Sequence, residues 1–339
     1  MGYTLKLDIY YLNLKKIKKE VSRRVRNKVQ IGYITENEPC LLSDFFDSLS
    51  NDTDESYMTI FMTDFINGFN ASFKSNDKNT QAISITTEQY RSFNSEDYTV
   101  WGIFKGGATG IDYDIFESDN AEIPTGKINR NNVASLYYFY KIWMPKDSNF
   151  GILMVQSYTS TGCTSLFKEQ LESYFINKRY KVEWSKYIPK NYIEQYLKDG
   201  YIRTVKVVYS KRDENSPLNP LFKSFTEASK MTVFDKLRIS FDRLINIPNY
   251  KNVLTSQIQS VDSEFDESKD AIRLFFVDSA GKRANSMLSD IDNVLPTITL
   301  DDSLMDEATQ QPNGEALHLF TKDLLNSIKE QISYTPKLI

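Results

Sequence analysis

Histidine and cysteine are almost missing from this 339-residue chain: His318 stands alone, and Cys40 and Cys163 are the two cysteines. One imidazole and two separated thiols make no conventional zinc set. Two thiols also leave no disulfide framework, which suits a reducing compartment. Apolar runs approaching the ~20 residues that cross a bilayer are lacking as well. The opening stretch "MGYTLKLDIYYLNL" alternates apolar and polar residues and has no signal-peptide core. Met1-Gly2 begins a myristoylation pattern, but Lys6 stands where Ser or Thr is required. These absences point to a soluble cytoplasmic protein without membrane insertion.

Catalytic signatures are lacking too. No Gly-x-Ser-x-Gly elbow offers a nucleophile to His318, which sits beside the apolar stripe of "EALHLFTKDLL" and reads as structural. "GIFKGGATG" (102–110) does not end in Gly-Lys-Ser/Thr, and strand-like "IDYDIFES" follows it where a dinucleotide fingerprint needs a helix. It reads as a hairpin turn. "QSYTSTGCTS" (156–165) joins a buried strand to a helix; one hydroxyl there is expected to cap the helix and the others to satisfy the turn. No catalytic residue, metal site or cofactor is expected.

Apolar material is plentiful. Hydrophobic residues make up 40% and aromatics 13%, with 21 Tyr and 21 Phe, enough for packed cores. The length suggests two domains. The patterning predicts an α+β fold: a domain over 1–212 with a mixed sheet, and a smaller helix-rich domain over 221–339 with a β-hairpin. "KRDENSPLNP" (211–220) is the linker between them.

Within the first domain, residues 3–13 alternate as a strand, and Leu14, Ile17, Val21 and Val25 recur at spacings of three and four, predicting a helix over 15–28. "VQIGYIT" reads as a strand, 41–50 as a short helix, and 57–117 mainly as β structure. Residues 150–208 give the order β-α-β-α-β, with Pro189 and Gly200 bounding the second helix. In the second domain, 221–260 read as helical, Gly281 as the centre of a hairpin, and 315–332 as an amphipathic helix with Leu317, Phe320, Leu324, Ile328 and Ile332 on one face.

The net charge of −4 hides strong segregation. Residues 1–28 hold nine basic and two acidic groups, residues 176–212 hold ten and three, and residues 262–307 hold four and twelve. Asymmetry of this kind bears on partners. In "KKIKKEVSRRVRNK", Lys15, Lys16, Lys18, Lys19, Arg23, Arg24, Arg26 and Lys28 would grip phosphates and release counterions. Farther on, Lys178, Arg179, Lys181, Lys186 and Lys190 interleave with Tyr180, Trp184 and Tyr187, a pattern suited to single-stranded nucleic acid. The expected function is non-enzymatic nucleic-acid binding through the phosphate backbone, with DNA favoured over RNA, by a self-associating protein.

Two alternatives stand beside it. One is a metal-dependent nuclease using carboxylates such as Asp112, Asp114, Glu117 or Glu183, or the cluster Asp301, Asp302 and Asp306. The other is an adaptor whose basic segment docks on an acidic protein partner, such as the 262–307 region of a neighbouring copy.

Three stretches carry a resemblance: "YTLKLDIYYLNL", "VWGIFKGGATGIDYDIFES", and "FGILMVQSYTSTGCTSLFKEQLESYF" with "YIPKNYIEQYLKDG" after it. As a pattern over 3–210, the chain resembles proteins of prophages and bacterial defence islands. These include lambda-type phage exclusion proteins and the DNA-binding component of Kiwa-type anti-phage systems. The resemblance implies a DNA-binding or phage-sensing protein without an enzymatic site. It carries no individual residue over.

Overall fold

The computed structural model describes residues 4–25, 28–49, 57–86, 91–94, 97–159, 161–189, 192, 201–208, 230–234, 239–240, 250–261, 265–266, 270, 271–277, 283–288 and 298–335. It divides into two units: Met1–Tyr187 with Thr297–Ile339, and Ile188–Pro296. The division therefore falls elsewhere than 212/221. The C-terminal helix belongs to the first unit, and the second unit is an insertion within it. The linker expected at 211–220 lies outside the described residues.

The first unit is built on an antiparallel sheet ordered β11-β1-β10-β9-β6-β4-β3, from β1 (Leu5–Val25), β3 (Lys74–Ser75), β4 (Gln81–Ser84), β6 (Thr99–Ala108), β9 (Ala134–Trp143), β10 (Gly151–Tyr158) and β11 (Tyr180–Tyr187). β2 (Lys28–Thr35) pairs β1, and β5 (Arg91–Asn94) pairs β6. A small separate hairpin, β7 (Tyr113–Ile115) with β8 (Gly126–Ile128), lies between β6 and β9 in the chain.

Helices cover both faces of this sheet, which is why β10 is buried along its whole length and reads as a continuous apolar run. On one face lie α1 (Leu42–Asp47), α2 (Tyr57–Asn67) and α3 (Thr164–Asn177). Phe45, Phe61 and Phe175 pack ring against ring there, and Phe167 stacks on Phe104 of the sheet. On the other face lies the last helix of the unit (Gly314–Gln331), set by Leu317, Leu324 and Ile328; Phe320 is only half-buried, and Thr321 and Leu325 complete the stripe. Its N-cap Asn313 accepts the Ala316 N–H, as a capping Asn should.

β10, α3 and β11 form a crossover in which β1 lies between the two strands. β12 (Tyr201–Val208), expected to complete a single β-α-β-α-β core, instead belongs to the second unit, and most of 189–200 lies outside the described residues. β17 (Ile298–Thr299) returns to the first unit along the edge of β1 that β11 occupies: Tyr187 stands opposite Ile9, and Ile298 opposite Leu7.

The second unit holds a five-stranded antiparallel sheet ordered β13-β12-β15-β16, with β14 on β12. Its members are β12, β13 (Lys230–Phe234), β14 (Ile239–Ser240), β15 (Ala271–Val277) and β16 (Arg283–Met287). The helix α4 (Tyr250–Val261) lies within the same unit, and the helix Gly314–Gln331 is α5 in chain order. β15 and β16 pair across the Gly281 region as expected. β13 and β14 fall inside 221–260, where helix was expected.

Three further expectations need correcting. The helix expected over 15–28 is not formed: residues 15–25 end β1, and Lys28 begins β2. The segment "YMTIFMTDF" is helical, because Met58, Phe61, Met62, Phe65 and Ile66 bury one helical stripe despite their β propensity. Gly106 and Gly107 make no hairpin; β6 runs straight through them. A Cβ on Gly106 would stand 2.9 Å from the Cys163 sulfur, and one on Gly107 would run into the Ala134 carbonyl. These glycines allow close approach of a helix end and a neighbouring strand.

Candidate nucleic-acid interface

β1 crosses two environments. Residues 5–12 pair with β10 and residues 9–16 with β11, so this stretch is central in the sheet. From Ile17 onward β1 pairs only with β2, with a register shift between Ile17 and Lys19. The basic segment thus becomes a two-stranded ribbon leaving the sheet, and Val25 stands opposite Lys28 at the ribbon's far end.

A strand sends successive side chains to opposite faces, and the first cations are separated accordingly. Lys15 bonds Glu183 at 3.0 Å on the α5 face. Lys16 bonds Asp44 of α1 at 2.7 Å, a contact that raises its pKa. Lys18 and Lys19 are exposed, and among the described residues neither has a carboxylate partner. Arg23, Arg24 and Lys28 lie in the ribbon by backbone register, opposite Gln30, Val29 and Val25. Their side chains, and Arg26 altogether, lie outside the described residues.

The second segment does not form one cationic face. Lys178 caps α3 and bonds Asp64 at 2.6 Å, and Lys186 bonds Asp8 at 3.1 Å. Lys181 stands opposite Lys15 in the β1–β11 register. Lys190 lies outside the described residues. The rings are used in packing: Tyr180 is buried and donates to the Asp44 carbonyl, and Tyr187 donates to Gln331 of α5. Trp184 meets Tyr10 edge-on, and the Lys168 amine lies 3.9 Å over the Tyr10 ring and 5.2 Å from that of Trp184. Burial against these rings lowers the Lys168 pKa. Lys168 is thus a cation that the sequence pattern missed, since its nearest ring, that of Tyr10, comes from β1, far from α3 in the chain.

Arg179 is different. It adopts a left-handed backbone with φ of 69°, its side chain is exposed, and its carbonyl accepts the Ile17 N–H at 2.9 Å. That hydrogen bond sets Arg179 where the ribbon departs, beside Lys18 and Lys19. The two basic segments therefore converge at the ribbon's root through these three residues.

The carboxylates do not gather. Among the described residues, no group of three or more His, Cys, Asp or Glu stands close enough to hold a metal ion. Glu183 is taken by Lys15. Asp112 accepts the Arg130 N–H and lies 3.7 Å from Lys127, which holds its pKa down. Asp301 and Asp306 accept hydrogen bonds from Ser303 and Thr309 in local turns.

Near the start of α3, Thr159 donates to the Thr4 carbonyl, and the N-cap is Cys163 with no side-chain cap, contrary to the expected hydroxyl. His318 stacks on Trp101 at a centroid distance of 4.5 Å. Among the described residues no helix is long and apolar enough to cross a membrane. Compared with protein-family models, with curated proteins and with solved structures, the chain matches none.

Proposed function

We propose that the protein binds nucleic acid through the β1–β2 ribbon, contacting the phosphate backbone with little sequence preference. The observation that carries this reading is the change along β1 itself. Lys15 and Lys16, within the sheet, are matched by Glu183 and Asp44, whereas Lys18 and Lys19 on the ribbon and Arg179 at its root are exposed and unmatched among the described residues. The ribbon from Ile17 to Thr35 contains six cations and one carboxylate by sequence. A two-stranded ribbon fits the B-DNA major groove, about 12 Å wide. Nine residues of strand reach about 30 Å, nearly one helical turn of duplex. This supports DNA over RNA, whose deep, narrow major groove excludes such an element. The resemblance to prophage and defence-island proteins agrees with a DNA-directed role in phage conflict.

The test is a polarisation titration of a labelled duplex and of a single strand at several salt concentrations. Binding should weaken steeply with salt, with a log–log slope of about −3 to −6. Absence of binding at low salt, or affinity indifferent to salt, rejects the reading.

A further inference from the structure

Large apolar side chains exposed on the described surface are unevenly distributed. Eight of the eleven fall in two short segments of the first unit. Val21, Ile31 and Ile34 lie on the ribbon, with Ile31 57% exposed. Ile111, Tyr113, Ile115, Phe116 and Ile123 lie on and beside the β7–β8 hairpin, with Ile123 65% exposed. Scattered single apolar residues are ordinary, but concentration in two segments marks contact surfaces.

The two segments carry opposite charge. The ribbon has six cations against one carboxylate. Residues 111–128 have five carboxylates, Asp112, Asp114, Glu117, Asp119 and Glu122, against one cation, Lys127, which lies 3.7 Å from Asp112. Each surface thus offers apolar contacts and the counter-charges that the other lacks.

The sheet register keeps them apart within one chain. Leu12 stands opposite Gly151 and Ile152 opposite Trp143, so β9 runs parallel to β1 with its first residues at the Leu5 end. The β7–β8 hairpin joins β6 and β9 at Ala108 and Ala134, which are paired with each other at that end. The ribbon leaves beyond Lys16, at the other end. At about 3.3 Å per residue, the two points of departure are separated by roughly 45 Å along the strands. The complement that each surface needs is offered by another copy.

We propose that the β7–β8 hairpin of one copy docks on the β1–β2 ribbon of the next, so that the protein associates head to tail. Two different patches meet in this contact, so it is heterologous and propagates into a chain or closes into a ring. β2 pairs only with β1 among the described strands, so the ribbon also presents unpaired main-chain groups along its edges. The inference does not rest on nucleic-acid binding.

Two variants test it. In one, Lys18→Glu and Lys19→Glu disable the ribbon; in the other, Asp114→Asn, Ile115→Ser and Glu117→Gln disable the hairpin without giving it a charge that the altered ribbon could attract. Sedimentation velocity is run on protein freed of nucleic acid by nuclease and a high-salt wash. The wild type is expected to show concentration-dependent association that weakens with salt, and each variant alone is expected to be monomeric. Their equimolar mixture is expected to give a one-to-one dimer and nothing larger, because each variant keeps one working surface. That dimer also certifies that both variants fold. A wild type that stays monomeric at about 100 µM and low salt overturns the proposal. So does a variant that dimerises alone, or a mixture of variants with native circular dichroism that fails to pair. DNA titration of the same samples separates the two readings: only the ribbon variant should lose DNA.

Discussion

The Lys141 amine, 1% exposed on β9, donates to the carbonyl of His318 on α5 at 3.0 Å. Burial pushes this lysine down to about 7; Asp97 opposes the shift, and Lys322 and Lys329 of α5 add to it. Burial, with Lys141 and Lys322, pushes His318 down to about 4. Two ionisable groups thus meet between sheet and helix, and both favour the neutral form.

The sign of the resulting pH dependence is fixed. The unfolded chain binds more protons than the folded one from about pH 4 to 6.5 through His318, and from about pH 7 to 10.5 through Lys141. Stability therefore rises with pH across each window. Urea melts from pH 4 to 10 should show both rises. Lys141→Met should abolish the upper rise and stabilise the protein at pH 7 by roughly 1–2 kcal/mol. An unchanged upper rise would remove Lys141 as its source.

Lys18→Ala with Lys19→Ala should weaken DNA binding about tenfold at low salt and reduce the salt slope by about 2. Lys16→Ala and Lys186→Ala should leave the slope unchanged, because Asp44 and Asp8 already hold those amines. Equal effects from all four positions would mean that the binding surface lies elsewhere.

Gly107→Ala should be among the most damaging small substitutions. The new methyl group meets the Ala134 backbone across the β6–β9 ladder, and backbone has no rotamer by which to yield. The expected loss is about 3 kcal/mol or more, read from a denaturant melt. A loss under about 1 kcal/mol would show that the two strands separate easily.

Phe175→Ala removes a ring that packs on both Phe45 and Phe61 and so joins α1, α2 and α3. A fall of about 3–5 kcal/mol is expected, relieved in part by Phe175→Leu. Equal losses from the two substitutions would point away from packing as the cause.

Much of the sheet was legible from residues 3–13, 150–155 and 180–188, where alternating or unbroken apolar patterns match strands, whereas the apolar run 133–143 fits helix and strand equally and only pairing with β6 and β10 decides it. Longer-range causes hid the rest. The stripe Leu14, Ile17, Val21 and Val25 imitates a helix, but β-rich residues 28–35 follow within pairing reach, and pairing overrides periodicity. Leu14 and Ile17 are buried but Val21 is exposed, so the stripe has no continuous buried face. The charge was legible as a total but not as a surface: which lysines meet carboxylates depends on Asp8, Asp44, Asp64 and Glu183, residues brought near only by folding. Arg179 reaches the ribbon through a backbone hydrogen bond that no side-chain pattern encodes.

Tyr187 and Ile298 face positions only two residues apart on β1, on the same edge, so β11 and β17 are halves of one interrupted strand. The chain leaves that strand and rejoins it about 7 Å farther along, having built all of Ile188–Pro296 in between. The inserted unit therefore enters and leaves the larger one through a single interrupted strand. A shortened protein in which a few glycine and serine residues replace it should retain the larger sheet, both covering helical layers and the ribbon. In evolution the same junction would let one host accept different passengers without recutting its core.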